Sequence, residues 1–343
     1  AADDNRNIIR VLFVDFKKAF EFIDHNVLSK KLSECGFSPL LSVWMLSFLV
    51  DRRQFVKIGC SVSDVCVTNA GAPQGTRAGP NDFKVIINDL CFEYPYIKYV
   101  DDVTVAAVST DPRINNMQLV ADKLVQWCTD NHMHLNTSKT KEMVIYFGKQ
   151  YSKSELVYTR IVDSNIERVE TFKLLGVIFS SDLTWKAHVE YIISKASKRI
   201  FVVYQLVRSG LSASDVISVY ISLIRSILEY ACPVWHCGIT KGQSDEIEGV
   251  QRRCLRIVYP KLSYSDALQI AGLEQLRVRR ERLVHNLFNE MKSGNHVLNN
   301  LLPLRSFDNS RYNVRDLYPY CMPVARTGRP LRSFISYCVR KRF

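Results

Sequence analysis

Two carboxylates stand side by side in IKYVDDVTV, residues 97–105, between runs of β-branched and aromatic side chains. Asp-Asp pairs are common in turns, where short polar side chains bond the local backbone. Here Ile97, Tyr99, Val103 and Val105 alternate on both flanks, which predicts two short strands with Asp101 and Asp102 at a hairpin tip. Along an extended strand neighbouring side chains point to opposite faces, but at a tight turn both carboxylates can approach one region of space. Concentrated negative charge there needs a cation. Oxygen ligands on a rigid hairpin suit a hard divalent ion such as magnesium, which takes one or two carboxylates, waters and substrate phosphates. A third carboxylate, Asp15, ends the apolar run IIRVLFV at 8–14, whose composition predicts a strand buried on both sides. Helical spacing follows through Phe20, Ile23, Val27 and Leu28, with Gly36 as a stop. An aspartate at that junction can serve as a helix N-cap; it is also where an anchored, exposed metal ligand serves best.

The elements that must hold these groups can be followed along the chain. Ser38-Pro39 before LLSVWMLSFL is a helix start, and RRQFVKIG and DVCVTNAG read as strands. They lead into GAPQGTRAGP, a Gly- and Pro-rich loop whose backbone can approach a ligand closely. Helical spacing resumes through Phe83, Val85, Ile86, Ile87 and Leu90, and again over 114–128; residues 143–147 and 172–179 read as strands. Beyond Trp185 the pattern changes to long amphipathic helices, predicted over 185–207, 213–231, 242–258 and 274–292. The main boundary is expected at 183, dividing the chain into 1–183, a helical 184–300 and a tail, 301–343, that reads as irregular and poorly ordered.

Composition bounds the function classes. At 343 residues, two or three subdomains are expected, and 47% hydrophobic with 11% aromatic residues excludes a disordered chain. No uncharged apolar run approaches the roughly 18 residues of a membrane span. The opening AADDNRNIIR lacks the basic and apolar regions of a signal peptide, so the expectation is an intracellular protein, neither secreted nor membrane-bound. Ten cysteines without a CxxC pair point to a reduced compartment, and Cys232, His236 and Cys237 in ACPVWHCG read as packing residues. Charge is one-sided. Residues 1–185 hold 21 Lys+Arg against 22 Asp+Glu, whereas residues 186–343 hold 25 against 12. A basic half with interspersed aromatics favours phosphate backbones, although a charge run is also an ordinary solvated face.

VLFVDFKKAFEFIDH, GAPQGTRAGP and IKYVDD, in this order and at these intervals, resemble the A, B and C motifs of a reverse transcriptase palm of the non-LTR (LINE-type, CR1/jockey-like) retrotransposons. LNTSKTKEMV resembles the motif D segment, FKLLGVIFSSDLTWKAHV the primer-grip turn and entry to the thumb, and SLIRSILEYACPVW with EGVQRRCLRIV the thumb helices. The resemblance covers position 8 to about 290 and implies an α+β fold: a polymerase palm of antiparallel sheet and packed helices, followed by an all-α basic thumb, with most of the fingers lacking. It implies RNA-directed DNA polymerisation with an RNA template, a DNA primer and deoxynucleoside triphosphates, in the nucleus or cytoplasm as a ribonucleoprotein. Asp15, Asp101 and Asp102 then correspond to ligands of two Mg2+ ions, for which Mn2+ is a substitute. Phe16 would add its carbonyl, Phe20 is the aromatic gate beneath the incoming sugar, and Gln74 and Gly75 line the nucleotide pocket. Lys139 or Lys141 corresponds to the motif D proton donor to pyrophosphate, and Leu175 and Gly176 fall in the primer grip. The basic helices would track duplex phosphates.

The sequence departs from that pattern at Glu21, where the family usually has aspartate after the gate, and at Asn81, Asp82 and Lys84, which intrude into an otherwise apolar helix. These departures leave a second expectation beside the polymerase: a truncated, inactive relic that only binds nucleic acid. An RNA-templated RNA polymerase shares the palm logic, but an aromatic gate at Phe20 speaks against ribonucleotide use.

Overall fold

The computed structural model describes residues 4, 6–73, 75–148, 150–152, 155–304, 320–321 and 328–341. The chain divides into two compact units between Glu170 and Thr171.

In the first unit β1 (Ile8–Val14) is followed by α1 (His25–Glu34), α2 (Pro39–Ser47), and the short strands β2 (Arg52–Gln54), β3 (Lys57–Ile58), β4 (Ser61–Val62) and β5 (Cys66–Thr68). Then come α3 (Ala78–Ile87), β6 (Tyr96–Tyr99), β7 (Asp102–Ser109), α4 (Asn116–Asp130), β8 (Lys141–Ile145), β9 (Arg160–Ile161), β10 (Ser164–Asn165) and β11 (Glu167–Arg168). A five-stranded sheet has the order β11-β8-β1-β7-β6, so the apolar strand β1 lies at its centre, as its composition predicts. Leu12, Val14, Val103, Val105 and Ala107 share one face of this sheet with Phe83 and Ile86 of α3 and Met117, Val120 and Leu124 of α4. That core is where most of the unit's apolar area leaves water.

Two sequence expectations are corrected here. The helix expected straight after Asp15 begins only at His25, because Asp24 is its N-cap, accepting the N–H groups of Asn26 and Val27 at 2.7 and 3.2 Å. Phe20 and Ile23 keep their helix-like spacing but bury themselves from a turn, in which Lys18 takes φ 46°. The stretch RRQFVKIG is two short strands, β2 and β3, each in its own ladder. Ser38, by contrast, caps α2 with Pro39 in first position, as the sequence indicates.

The second unit opens with the hairpin β12 (Thr171–Leu174) and β13 (Val177–Ser180) and continues as helices α5 (Lys186–Arg208) and α6 (Ala213–Tyr220). A π-helical turn over 221–225 leads into α7 (Ser226–Glu229), α8 (Cys232–Trp235), α9 (Lys241–Val258), α10 (Tyr264–Ile270) and α11 (Leu276–Lys292). The hairpin expected before the boundary at 183 therefore belongs with the helices. Ala213–Gly238, which carries Asp215, Arg225 and Glu229 and so is not an uncharged run, is long and apolar enough to cross a membrane by length and composition. The π-turn and Ala231, at φ 49°, break it, and its residues Val216, Tyr220, Ile224, Leu228 and Trp235 form the centre of this unit's core. In the C-terminal region, expected to be irregular, α12 (Gly328–Leu331) and α13 (Phe334–Lys341) are helical, and Cys338 and Val339 pack with Val284 and Phe288.

Candidate active site

Asp15 follows the last paired residue of β1. The antiparallel ladder runs from Ile8 opposite Ser109 to Val14 opposite Val103, so one further step sets Asp15 opposite Asp102. Across the next ladder Tyr99 pairs with Asp102, leaving Val100-Asp101 as a two-residue hairpin loop. This is the hairpin the alternation predicts, displaced by one residue: Asp102, expected at the tip beside Asp101, is instead the first paired residue of β7. Val100 carries φ 56°, a left-handed conformation that a β-branched residue adopts only under constraint. Its side chain packs against the sheet–helix core, which supplies the constraint.

The backbone at Asp15 is fixed by a turn that sequence reading assigned only to proton transfer. Asp15 donates its N–H to Thr140 Oγ1 at 3.2 Å, and its carbonyl accepts the Asn136 N–H at 2.8 Å. Thr140 is fully buried. Phe16 forms an isolated antiparallel bridge with Leu135, held by Lys17 N–H to the His134 carbonyl at 2.8 Å and by the Asn136–Asp15 bond. In that pattern Phe16's own N–H and carbonyl face the other edge of the strand, the side of β7. Its ring meets Phe83 and Trp127 edge-on at 6.2 and 6.0 Å in the core, so only the carbonyl remains for the site.

Electrostatics tie the three carboxylates together. The Asp102 carboxyl is raised above the usual carboxylate range by burial, then by the charges of Asp101 and Asp15. All three are partly exposed, and none has an ion-pair or side-chain hydrogen-bond partner among the described residues. No three His, Cys, Asp or Glu side chains there stand at the spacing of a preformed metal cage. Magnesium does not require one, because it keeps waters and takes phosphate oxygens from substrate. Asp102 in electrostatic range of both Asp101 and Asp15, with no cationic side chain paired to any of the three among the described residues, fits a divalent ion.

The remaining predicted residues fall around this centre unequally. Phe20 is half-buried and leans on Phe83 at 5.4 Å. Its carbonyl accepts the Ala72 N–H at 2.8 Å, while the Gly71 N–H reaches the Ile23 carbonyl at 2.8 Å. A Cβ on Gly71, which has φ 78°, would lie 2.8 Å from the carbonyl oxygens of Phe20 and Glu21. A close backbone approach within the chain is thus made by Gly71; Gly75, which the resemblance sets at the nucleotide pocket, takes φ 79° with nothing within 4 Å of an added Cβ among the described residues, and Gln74 lies outside the described residues. The two motif D lysines separate: Lys141 is engaged by Glu167 at 2.5 Å and by the Ser138 carbonyl, whereas Lys139 is exposed on the Asn136–Thr140 turn without an ion pair among the described residues.

Asp82 departs most clearly from bland packing. It is 1% exposed, both carboxylate oxygens lack partners among the described residues, and burial raises it to about 6 against an opposing pull from His25. In the second unit Leu175 and Gly176, at φ 47° and 89°, form the two-residue loop of the β12–β13 hairpin. Tyr230 donates its hydroxyl to the Leu175 carbonyl at 2.9 Å.

The pattern of the reverse transcriptase (RNA-dependent DNA polymerase) family matches residues 1–179. The chain belongs to that family, and its relatives set it among the LINE-type members. It is 24% identical over 268 residues to the probable RNA-directed DNA polymerase from transposon X-element of Drosophila melanogaster, covering 75% of this chain and 29% of that protein. To the RNA-directed DNA polymerase from mobile element jockey of the same fly it is 23% identical over 270 residues, covering 74% and 29%. It spans under a third of these relatives' length. Among solved structures, telomerase from Candida tropicalis aligns with a TM-score of 0.39 and 11% identity, over 83% of this chain and 42% of that one, a likeness too distant to bear on the site.

Proposed function

We propose that this chain is the polymerase module of an RNA-directed DNA polymerase, adding deoxynucleotides to a primer 3′-hydroxyl paired to RNA. The observation that carries the reading is the carboxylate group at the sheet end: Asp15 in register with Asp102, and Asp102 raised by burial first and then by the charges of Asp101 and Asp15. Asp15 and Asp101, with Asp102 adjacent and the Phe16 carbonyl turned to the same edge, would hold two Mg2+ ions. Bound there, the ions lower the pKa of the attacking hydroxyl and stabilise charge on the leaving pyrophosphate. The chain's own groups do the rest. Phe20, backed by Phe83 and stitched to Ala72, presents an edge against a ribose 2′-hydroxyl. Lys139, exposed on the turn that fixes Asp15, holds a proton for the departing pyrophosphate; Lys141 is occupied by Glu167.

Primer extension tests this. The full chain, given a primed RNA template, deoxynucleotides and Mg2+, should extend the primer, and Asp101→Ala should lower the rate about a thousandfold or more. Phe20→Ala should raise ribonucleotide incorporation about tenfold relative to deoxynucleotide. If the wild-type chain retains RNA–DNA duplex but extends nothing, and Asp101→Ala retains it equally well, the binding-only reading replaces the polymerase.

A further inference from the structure

His25 closes the stretch VLFVDFKKAFEFIDH, yet neither the carboxylates nor the gate accounts for it. It is half-buried at the first position of α1, where Asp24 fixes the backbone. One oxygen of that cap holds the N–H groups of Asn26 and Val27, and the other meets His132 Nδ1 at 2.8 Å. From this fixed start the His25 ring reaches the loop before α3, and its Nε2 lies 2.9 Å from the Gly71 carbonyl oxygen. A carbonyl only accepts, so Nε2 carries a proton whatever the charge of the ring.

Three bonds join segment 20–25 to this loop: the Phe20 carbonyl accepts the Ala72 N–H, the Ile23 carbonyl accepts the Gly71 N–H, and His25 donates to the Gly71 carbonyl. Both backbone polar groups of Gly71 are thus engaged by one segment. Gly71 is also buried, with two carbonyl oxygens 2.8 Å from where a Cβ would stand, so the loop has no slack on that side. A buried carbonyl deprived of its donor must find another, and the loop has to move to do so. Phe20 would move with it. The gate sits in a turn rather than a helix, and it is held by the Ala72 bond and by the ring of Phe83 at 5.4 Å. Ala72 adjoins Gly71, and Phe83 belongs to α3, the helix into which the loop leads. Both supports of Phe20 therefore hang from the stretch that His25 fastens. The same helix carries the buried Asp82, one residue before Phe83, on which the charge of His25 acts, so the imidazole stands in electrostatic range of α3 as well.

We propose that His25 is a positioning residue for sugar selection: by donating Nε2–H to Gly71 it holds the Gly71–Ala72 segment against the turn and keeps Phe20 where it excludes a ribose 2′-hydroxyl. The inference rests on the reading of Phe20 as the gate, proposed above. His25 acts through Gly71, Ala72 and Phe20 and needs no contact with the nucleotide. Steric exclusion depends on the placement of the ring. A loosened loop admits the extra hydroxyl more readily, while a deoxynucleotide, which lacks the clashing oxygen, is little affected. The signature is a change in the preference between the two sugars, not a uniform loss of rate.

Two substitutions separate the donated bond from the ring. Glutamine places an amide nitrogen where the imidazole Nε2 stands and can donate it; asparagine, one carbon shorter, places its amide near the Nδ1 position and falls short of Gly71. On the full chain, kcat/KM for deoxynucleotide and for ribonucleotide is measured with a primed RNA template and Mg2+, alongside deuterium exchange at the Gly71 and Ala72 amides. His25→Asn should lower the preference for deoxynucleotide about threefold, part of the roughly tenfold expected for Phe20→Ala, and should speed exchange at both amides. His25→Gln should return both readouts towards wild type. Circular dichroism checks that both variants fold. Faster exchange in His25→Asn with an unchanged sugar preference makes His25 a structural pin alone and overturns the proposal. An equal fall in preference in both variants overturns it too, because the effect then belongs to the lost ring and not to the bond. Unchanged exchange in His25→Asn removes the latch itself. A wild-type chain that extends nothing removes the polymerase reading and the gate with it, while the exchange comparison still reports whether His25 holds the loop.

Discussion

Asp82 shows how one side chain alters the behaviour of the palm core. Its carboxyl is buried with both oxygens unpartnered among the described residues, and burial lifts it from the ordinary 3.8 to about 6. A carboxyl whose folded pKa exceeds its unfolded one binds more protons when native, so stability is greatest in acid and falls as pH rises from about 4 through 6. A rise of that size corresponds to about 3 kcal/mol as an upper figure. Asp82→Ala should therefore gain stability over wild type at pH 7.5 and lose that advantage near pH 4, read by urea denaturation at the two pH values. A variant difference that does not change with pH would remove burial of the charge as the cause. The same sign governs Asp102, raised by burial, Asp101 and Asp15. Without divalent ion, Asp102→Asn should raise the melting temperature at neutral pH, and added Mn2+ should raise it for wild type more than for the variant.

At the scale of elements, the working parts are the short segments that fasten the carboxylates and the gate. The Asn136–Thr140 turn binds both backbone polar groups of Asp15, and it also carries Lys139. Thr140→Val keeps the shape but leaves the part-buried Asp15 N–H without an acceptor, at a cost of about 1–3 kcal/mol. The expected result is a lower melting temperature together with weaker Mn2+ binding by electron paramagnetic resonance, both restored by Thr140→Ser. Restoration of neither by serine would assign Thr140 to packing alone. Sequence reading found NTSKT as a motif D segment but could not see this strap, because the bonding partners are 125 positions apart. It likewise missed Gly71, whose necessity comes from two carbonyls some fifty residues earlier. The one available signal was that GAPQG offers two glycines, of which a tight approach needs only one.

The whole molecule pairs a nearly neutral first half with a second half carrying 25 Lys+Arg against 12 Asp+Glu. Retention of RNA–DNA duplex by the full chain should therefore fall with salt as a power law. Six to ten phosphate contacts imply a loss of about 10³–10⁵ between roughly 50 and 200 mM. A salt-independent affinity would mean that the excess charge is only a solvated face.

The amino-acid sequence by itself determined the centre of the sheet, the DD hairpin, the Ser38 cap, the amphipathic helices and the family. These follow from local periodicity, turn chemistry and short ordered motifs, each contained within a few neighbouring residues. Tertiary structure decided the rest. Residues 16–24 turn instead of coiling because Asp24 caps α1 and the Gly71–Ala72 loop binds the turn; the tail gains a docked helix because Phe288 and Val284 offer Cys338 and Val339 an apolar surface. Asp15 meets Asp102 through a strand register that spans almost ninety positions. Such decisions rest on burial and pairing between remote segments, a quantity that no local window of sequence contains.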